Sequence, residues 1–175
     1  MRSVSPADLV ARFEKGVPLN LLEVDPGIYC HEAGVHPDLP DLFIKRAALT
    51  DYSVRYFQAI WAGQLTGSLF PSVKVIHIFG DEVLTIAERI ETGRPDFVTS
   101  RLAQSLHKKL ESIDDDRFYV DPSGLAQLKS WIKSNRKRPD CHVGNMGIRP
   151  GTNQVVIFDP VAGHISKRLR KSHHV

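Results

Sequence analysis

Three oxygen-bearing side chains lie near the end of the chain at spacings that suit the binding of a cation. Asp140 and Asn145 are separated by four residues, and Asp159 follows the β-branched run QVVIF. Residues 150–153, with the sequence PGTN, form a strong turn signal between them. Folding the segment about Thr152 places Asn145 opposite Asp159. The sequence therefore predicts a β-hairpin with an amide and a carboxylate side by side at its open end.

These residue types suit phosphate chemistry that depends on a divalent metal. Mg²⁺ prefers carboxylate and carbonyl oxygens, and one or two protein groups usually hold it together with waters and substrate phosphates. Asn145 and Asp159 fit as its ligands, which leaves Asp140 to accept a proton from an attacking hydroxyl. Taken singly, each residue has an ordinary alternative as a turn former or a cap. Their joint spacing across one hairpin favours the functional interpretation.

The first half of the chain is predicted to be rich in strands, with two helices. Residues 5–8 (SPAD) have the form of a capping box with proline in the first turn, so a short helix begins there and ends near Gly16. Proline and glycine recur through residues 19–45, which favours short strands and turns. Apolar residues at helical spacing predict a second helix over residues 51–65, and Gly80-Asp81 between two β-branched runs predicts a hairpin.

The second half is predicted to be mainly helical. Apolar residues at steps of three and four predict a helix from Val98 to Ile113, and another begins near Asp121-Pro122. A shift in composition near residues 91–95 separates the two halves. The fold class expected is therefore α+β, as one domain over residues 1–175 with two lobes: a β-rich N-lobe over about 1–91 and a reduced, mainly helical C-lobe over about 92–175.

Composition bounds the class of protein. The 175 residues are 42% hydrophobic and 25% charged, without an apolar run that could cross a membrane or the apolar core of a secretory signal, so we expect a cytoplasmic protein. Cys30 and Cys141 are too far apart to suggest a metal site or disulfide framework. The net charge of +3 is concentrated in KSNRKR and SKRLRKSHH, which form either a solvated surface or a docking site for nucleic acid or an acidic protein.

With these parts in this order, the chain resembles the protein-kinase-like fold. Asp140 and Asn145 match the spacing of the catalytic loop, and FDP stands where the metal-binding Asp-Phe-Gly normally stands. LFIK resembles the strand whose lysine holds the nucleotide phosphates, which makes Lys45 the candidate. His142 falls where many kinases have a lysine that touches the transferred phosphate, so it is either a donor to that phosphate or a histidine that caps the loop.

The same resemblance implies where ATP binds. The segment ERIE corresponds to the hinge that contacts adenine, which gives Glu88 and Ile90 as candidates for cofactor binding. Gly27, in DPGIYCHEAG, is the most plausible point of close backbone approach to a phosphate, because a full Gly-x-Gly-x-x-Gly loop is missing. The predicted helix over residues 51–65 has no glutamate to pair with the lysine, and Gln58 is a neutral substitute at best. Pro160 after the metal-binding aspartate stiffens that loop.

A narrower resemblance is to the early serine/threonine protein kinases of short-tailed bacteriophages (podophages). It depends on HPDLPDLFIKRA in the first half and on DCHVGN with VVIFDPV in the second. The resemblance implies an ATP- and Mg²⁺-dependent enzyme that phosphorylates host cytosolic proteins, including transcription and translation machinery, with no membrane partner and no direct nucleic-acid ligand. Two alternatives stay open: a pseudokinase that binds and inhibits a host protein, and a small-molecule phosphotransferase of the aminoglycoside type.

Overall fold

A computed structural model describes residues 3–23, 30–100, 103–106 and 115–161. The predicted Gly27 phosphate contact lies outside the described residues. The architecture is mixed α+β, as expected. The elements in chain order are α1 (Pro6–Glu14), β1 (Leu22–Glu23), β2 (Cys30–His36), β3 (Leu39–Ala48), α2 (Tyr52–Trp61), β4 (Val73–Phe79), β5 (Glu82–Glu88), α3 (Pro95–Val98), α4 (Pro122–Ser134), β6 (Met146–Ile148) and β7 (Val155–Ile157).

One antiparallel sheet accounts for most of the first half. Its strand order is β1-β2-β3-β5-β4, and β1 contributes only two residues beside four full-length strands. The predicted hairpin is confirmed, because β4 and β5 pair antiparallel across the turn at Gly80-Asp81, with Phe79 opposite Glu82. The central β3 pairs with β2 on one side and β5 on the other. Lys45 on β3 is therefore held by neighbours on both sides.

The first helix packs on this sheet. The predicted capping box is confirmed: the Ser5 hydroxyl accepts from the backbone N–H of Asp8, and the Asp8 carboxylate accepts from that of Ser5. Leu9 and Phe13 are buried on one face of α1. The buried cluster that they join also contains Leu19, Ile44, Leu84 and Ile86.

The second helix lies between two cores. The side chain of Asp51 caps α2, and the helix ends at Trp61, one turn before the expected end. Val54 joins a small cluster with Ala47 and Val83 of the sheet, whereas Tyr56 joins the larger core of the second half. That larger core is built from α4, the β6–β7 hairpin and the segments around them, including Leu128, Met146 and Ile157. Helix α2 therefore fixes the sheet against the second half.

The helix predicted from Val98 to Ile113 is not continuous. Helix α3 ends at Val98, and Ser100 interrupts the pattern because its hydroxyl donates to the carbonyl of Phe97 and accepts from the backbone N–H of Ala103. Local side-chain bonds of this kind compete with a helical backbone. Residues 103–106 are helical again, and residues 107–114 lie outside the described part.

The later helix and its cap are as predicted. The carboxylate of Asp121 accepts from the backbone N–H groups of Ser123 and Gly124 and so begins α4. Leu125, Leu128 and Ile132 are buried on one face of this helix. Within the described ranges, no helix combines the length and apolar character needed to cross a bilayer.

The predicted β6–β7 hairpin is present, with its register shifted by one residue. Gly147 pairs with Val156, so Asn145 lies opposite Phe158, and Asp159 is one position further along. The reason is the turn, which is centred between Gly151 and Thr152 and closes with a bond from the Thr152 N–H to the Arg149 carbonyl. The shift leaves Asn145 and Asp159 adjacent across the open end of the ribbon.

Candidate active site

The loop between α4 and β6 is folded by its own hydrogen bonds. The backbone N–H of His142 donates to the carbonyl of Asp140 (2.9 Å), and that of Asn145 donates to the carbonyl of His142 (2.8 Å). The side-chain amide of Asn145 also donates to the Asp140 carbonyl, at 2.7 Å. Asn145 therefore closes the loop that presents Asp140.

The same loop is joined to the segment that follows β7. The backbone N–H of Asp140 donates to the carbonyl of Pro160 (2.7 Å), and Pro139 and Val161 form a β-bridge. On the other side, the N–H of Asp159 donates to the carbonyl of Asn145 (3.3 Å). Asp140, Asn145 and Asp159, which the sequence singled out, are thus brought together by main-chain bonds.

Asp159 lies in a region of concentrated negative charge. Burial raises the pKa of its carboxyl from 3.8 to about 6; nearby Lys45 lowers this pKa, and the carboxylates of Asp51 and Asp140 raise it further. Among the described residues, no side chain or N–H donates to the Asp159 carboxylate or to the Oδ1 of Asn145. Both groups are therefore available as oxygen ligands.

This donor set fits Mg²⁺ better than a metal that needs a protein cage. No group of three or more histidine, cysteine, aspartate or glutamate side chains could enclose a metal in the described part of the chain. Asn145 and Asp159 supply two oxygen ligands, and Mg²⁺ commonly takes its remaining ligands from water and phosphate. The predicted metal role of these two residues stays a prediction.

Lys45 has a carboxylate partner that the sequence had not suggested. Its Nζ lies 3.0 Å from the Oδ2 of Asp51 and donates to the hydroxyl of Ser53 at 2.7 Å. The other oxygen of Asp51 accepts from the backbone N–H of Ser53 at 2.8 Å, which is the cap of α2. The helix has no glutamate for Lys45, as the sequence indicated, and the acidic partner is the aspartate at the helix cap instead.

Gln58, considered as a neutral substitute for that partner, lies elsewhere. It lines a groove between α2 and α4 together with Arg55 and Trp131. Asp51 carried a visible signal in the sequence, since it follows Lys45 by only six residues and precedes the helical pattern. That signal identified a cap, and only the structure adds the ion pair.

The ring of His142 has one defined donor. The N–H of Gly144 donates to its Nδ1 at 3.0 Å, so in neutral His142 the proton is on Nε2. Nε2 lies 4.0 Å from the Oδ2 of Asp140. A Cβ at Gly144 would lie 2.8 Å from the Cε1 of the ring, so glycine is needed for this packing. His142 is thus oriented with an N–H toward the site.

The predicted hinge segment connects β5 with the second half of the chain, where an ion pair and backbone hydrogen bonds hold it. The carboxylate of Glu88 pairs with the guanidinium of Arg149 at 2.7 Å. Glu91 and Ile148 exchange two backbone hydrogen bonds of 3.0 Å, and a Cβ at Gly147 would lie 2.3 Å from the carbonyl oxygen of Glu91. The side chain of Glu88 therefore has a structural partner among the described residues.

Two further groups of this crossing are the backbone N–H of Ile90 and the guanidinium of Arg149. The backbone N–H of Ile90 makes no hydrogen bond with the described residues, which suits it to donate to a ligand. Arg149 also donates to the carbonyls of Ser68 and Phe70. Sequence reasoning missed Arg149, because its partner Glu88 is 61 positions away and no local pattern connects them.

Both thiols are buried and free. Burial raises the pKa of Cys141 to about 12, and the carboxylates of Asp140 and Asp159 raise it as well. Burial also raises the pKa of Cys30, while nearby Lys45 lowers it. Because the thiolate is the reactive form, neither cysteine is suited to act as a nucleophile at neutral pH.

The chain was compared with known protein families, with curated proteins and with solved structures, and none of the three comparisons finds a match. The site is therefore interpreted from its own chemistry: an anchored lysine, a carboxylate beside an oriented imidazole, and two oxygen ligands next to them.

Proposed function

We propose that this protein is an ATP- and Mg²⁺-dependent protein serine/threonine kinase with a reduced two-lobed, protein-kinase-like fold, similar to the early kinases of podophages. One observation carries the proposal. Hydrogen bonds connect Asp140, from the loop after α4, with Asn145 and Asp159 at the β6–β7 hairpin. Lys45, from the sheet, is close enough to lower the pKa of Asp159. A positioned cation, a base and metal ligands are the parts that phosphoryl transfer requires.

Each residue has a separate task in the proposed mechanism. Lys45, fixed by Asp51 and Ser53, binds phosphate oxygens of ATP. Asn145 and Asp159 hold Mg²⁺, which when bound neutralises charge on the phosphates. Asp140 orients the serine or threonine hydroxyl and accepts its proton as the new O–P bond forms and the bond to ADP breaks.

His142 and the hinge support this reaction. The Nε2–H of His142 donates to the transferred phosphoryl group, where it stabilises negative charge. The backbone around Ile90 receives the adenine, with Glu88 held aside by Arg149. The proposed substrates are cytosolic proteins of a host cell.

The first test is transfer of labelled γ-phosphate from Mg-ATP into proteins of a bacterial lysate. We expect new labelled bands with the native chain and their loss with Asp140→Asn and with Asp159→Asn, since one removes the base and the other a metal ligand. Lys74→Gln, an exposed change on β4, is the matched control and should label normally. Chelation of Mg²⁺ should abolish all transfer.

Other outcomes would point to the alternatives. Label that enters only small molecules would indicate a small-molecule phosphotransferase. Absence of any transfer, with capture of a host protein that depends on the same surface, would refute the kinase proposal and indicate a pseudokinase. Loss of activity in Asp140→Asn is informative only if the variant keeps the thermal stability of the native protein, which should be measured alongside.

A further inference from the structure

A basic surface leads directly into the candidate active site. Between Asp121 and Asp140 the chain contains no acidic residue. It contains five cationic residues there, which together we call the α4 basic surface: Lys129, Lys133, Arg136, Lys137 and Arg138. This excess is local, because the whole chain carries a net charge of only +3.

Four of the five charges have no ion-pair partner in the part of the chain that the structure describes. Lys129 and Lys133 are exposed one turn apart on α4, and Arg136 and Arg138 are exposed after its end. None of these four side chains forms an ion pair with the residues that the structure describes. Unpaired cations on one surface repel each other, so an anionic ligand would lower the free energy of this face.

The fifth residue places the surface relative to the site. The Nζ of Lys137 lies over the ring of Tyr52, 3.3 Å from its centroid. Tyr52 follows Asp51, the partner of Lys45. The next residue, Arg138, is two residues before Asp140. The α4 basic surface therefore borders the place where the hydroxyl of a protein substrate would be presented.

A groove on another face of α4 can receive an extended chain. It lies between α2 and α4, has a volume of about 630 Å³, and is lined by one further cation, Arg55. Most of its other lining side chains are polar, including Gln58, Gln64 and Ser134. Amide and hydroxyl groups of this kind can hydrogen-bond a peptide backbone without regard to its sequence.

We propose, on the basis of the protein kinase function above, that the α4 basic surface binds acidic segments of substrate proteins. The enzyme then selects serine and threonine residues that lie near aspartate and glutamate. Opposite charges steer the encounter and fix the register of the bound segment. Single-stranded nucleic acid is the competing occupant, since it stacks on aromatic faces: Lys137 covers the ring of Tyr52, but Trp131 in the groove is partly exposed.

Binding is tested separately from catalysis. The probes are a short labelled peptide in which an alanine stands between glutamate and aspartate residues, its glutamine- and asparagine-substituted counterpart, and a labelled oligouridine. Fluorescence anisotropy with the native chain should show binding of the acidic peptide that weakens as salt is added. Lys129→Glu with Lys133→Glu should raise its Kd about tenfold, whereas Lys15→Glu with Lys74→Glu should change it less than about twofold.

Three results would overturn the inference: equal binding of the acidic and neutral peptides, no effect of the double charge reversal on α4, or much tighter binding of the oligouridine than of the acidic peptide. The last result would make this face a nucleic-acid surface. Exposed helix positions were chosen for the reversal so that folding is preserved, and circular dichroism of both double variants checks this.

Catalysis is then measured with serine in place of alanine. The acidic peptide should have about tenfold higher kcat/KM than the neutral one, and the α4 reversal should remove this preference through KM with kcat unchanged. If the acidic peptide binds the surface but no peptide is phosphorylated, the result supports the docking surface and refutes the kinase function. If both peptides bind and react equally, the result supports the kinase function and refutes the docking surface.

Discussion

At the scale of single residues, the pairing of Lys45 with a helix cap is the unusual feature of this site. Asp51 uses one carboxylate oxygen to begin α2 and the other to hold Lys45. The lysine is therefore held in place by the same interaction that forms the helix, which favours a site that is permanently assembled.

Asparagine at position 51 separates these two tasks. In Asp51→Asn the amide oxygen can still accept from the N–H of Ser53, so the cap is kept, but the charge that holds Lys45 is lost. Because Lys45 is left without its partner in a mostly buried ion pair, we expect a loss of up to about 3 kcal/mol in the free energy of unfolding. We also expect about a tenfold rise in the KM for ATP.

Alanine at the same position is the comparison. Asp51→Ala loses the cap as well, so we expect an additional loss of about 1 kcal/mol in the free energy of unfolding. Urea denaturation and steady-state kinetics of both variants measure the two effects. Native ATP kinetics in Asp51→Asn would show that Lys45 does not need its partner.

Asp159 gives a prediction about pH. Its pKa in the folded protein, about 6, lies above the ordinary value of 3.8, because burial and the nearby carboxylates disfavour the charged form. The protonated form therefore stabilises the fold fully below the unfolded pKa, and this stabilisation is lost as pH rises through about 6. Without a metal, the ionised carboxylate costs up to about 3 kcal/mol at neutral pH, at 1.36 kcal/mol per pKa unit.

Removing that charge should stabilise the protein while it destroys the metal site. In metal-free buffer, Asp159→Asn should melt at a higher temperature than the native chain at about pH 8, and the gain should shrink toward about pH 4. Asp81→Asn, on the exposed β4–β5 turn, is the matched control. A gain that does not depend on pH, or no gain at all, would contradict the assignment of a buried charge.

At the scale of elements, Arg149 connects the sheet with the second half. It binds Glu88 at the end of β5 through two nitrogens and donates to carbonyls of the segment before β4. The backbone bonds between Glu91 and Ile148 lie beside it. This crossing is thus a connection held by several bonds.

Truncation of Arg149 should loosen this connection. Arg149→Ala leaves the partly buried carboxylate of Glu88 without its partner, and breaking such a pair costs about 3 kcal/mol. Glu88→Gln with Arg149→Ala should recover part of that cost, because the unpaired charge is gone. Urea denaturation of the single and double variants measures the coupling. Additive losses would mean that the two side chains do not stabilise each other.

At the scale of the whole molecule, signals within a few residues predicted most of the architecture. The capping box at Ser5, the cap at Asp121 and the turn at Gly80 each depend on neighbours in sequence, and each was correct. Interactions between distant residues were not predictable. The bond between Glu88 and Arg149 has no local signal, and the break at Ser100 came from side-chain bonds that compete with the apolar period.

The residues of the candidate site, like most elements of the fold, could be predicted because they lie close together in the sequence. Asp140 and Asn145 belong to one loop, and Asp159 is connected to them through a single hairpin. The register differed by one residue, because the turn centre depends on backbone geometry that PGTN does not determine. The partner of Lys45 was missed because the sequence indicated Asp51 only as a candidate helix cap, whereas its carboxylate also forms the ion pair.

The proposed binding of Mg-ATP would join residues from both halves, so it should stabilise the molecule as a whole. Lys45 belongs to the sheet and Asp159 to the β6–β7 hairpin, and a ligand held by both favours only the folded state. At about one hundred times its Kd, the nucleotide should add about 2.7 kcal/mol to the free energy of unfolding. ATP without Mg²⁺ should add much less, since the phosphates would meet Asp159 and Asp140 without a metal between them.

Lys45→Met and Asp159→Asn should each reduce the Mg-ATP effect, while Lys74→Gln should leave it intact. Thermal melts with ATP and with Mg-ATP give the comparison, and equal stabilisation by both ligands in all variants would show that nucleotide binds somewhere other than between the sheet and this hairpin.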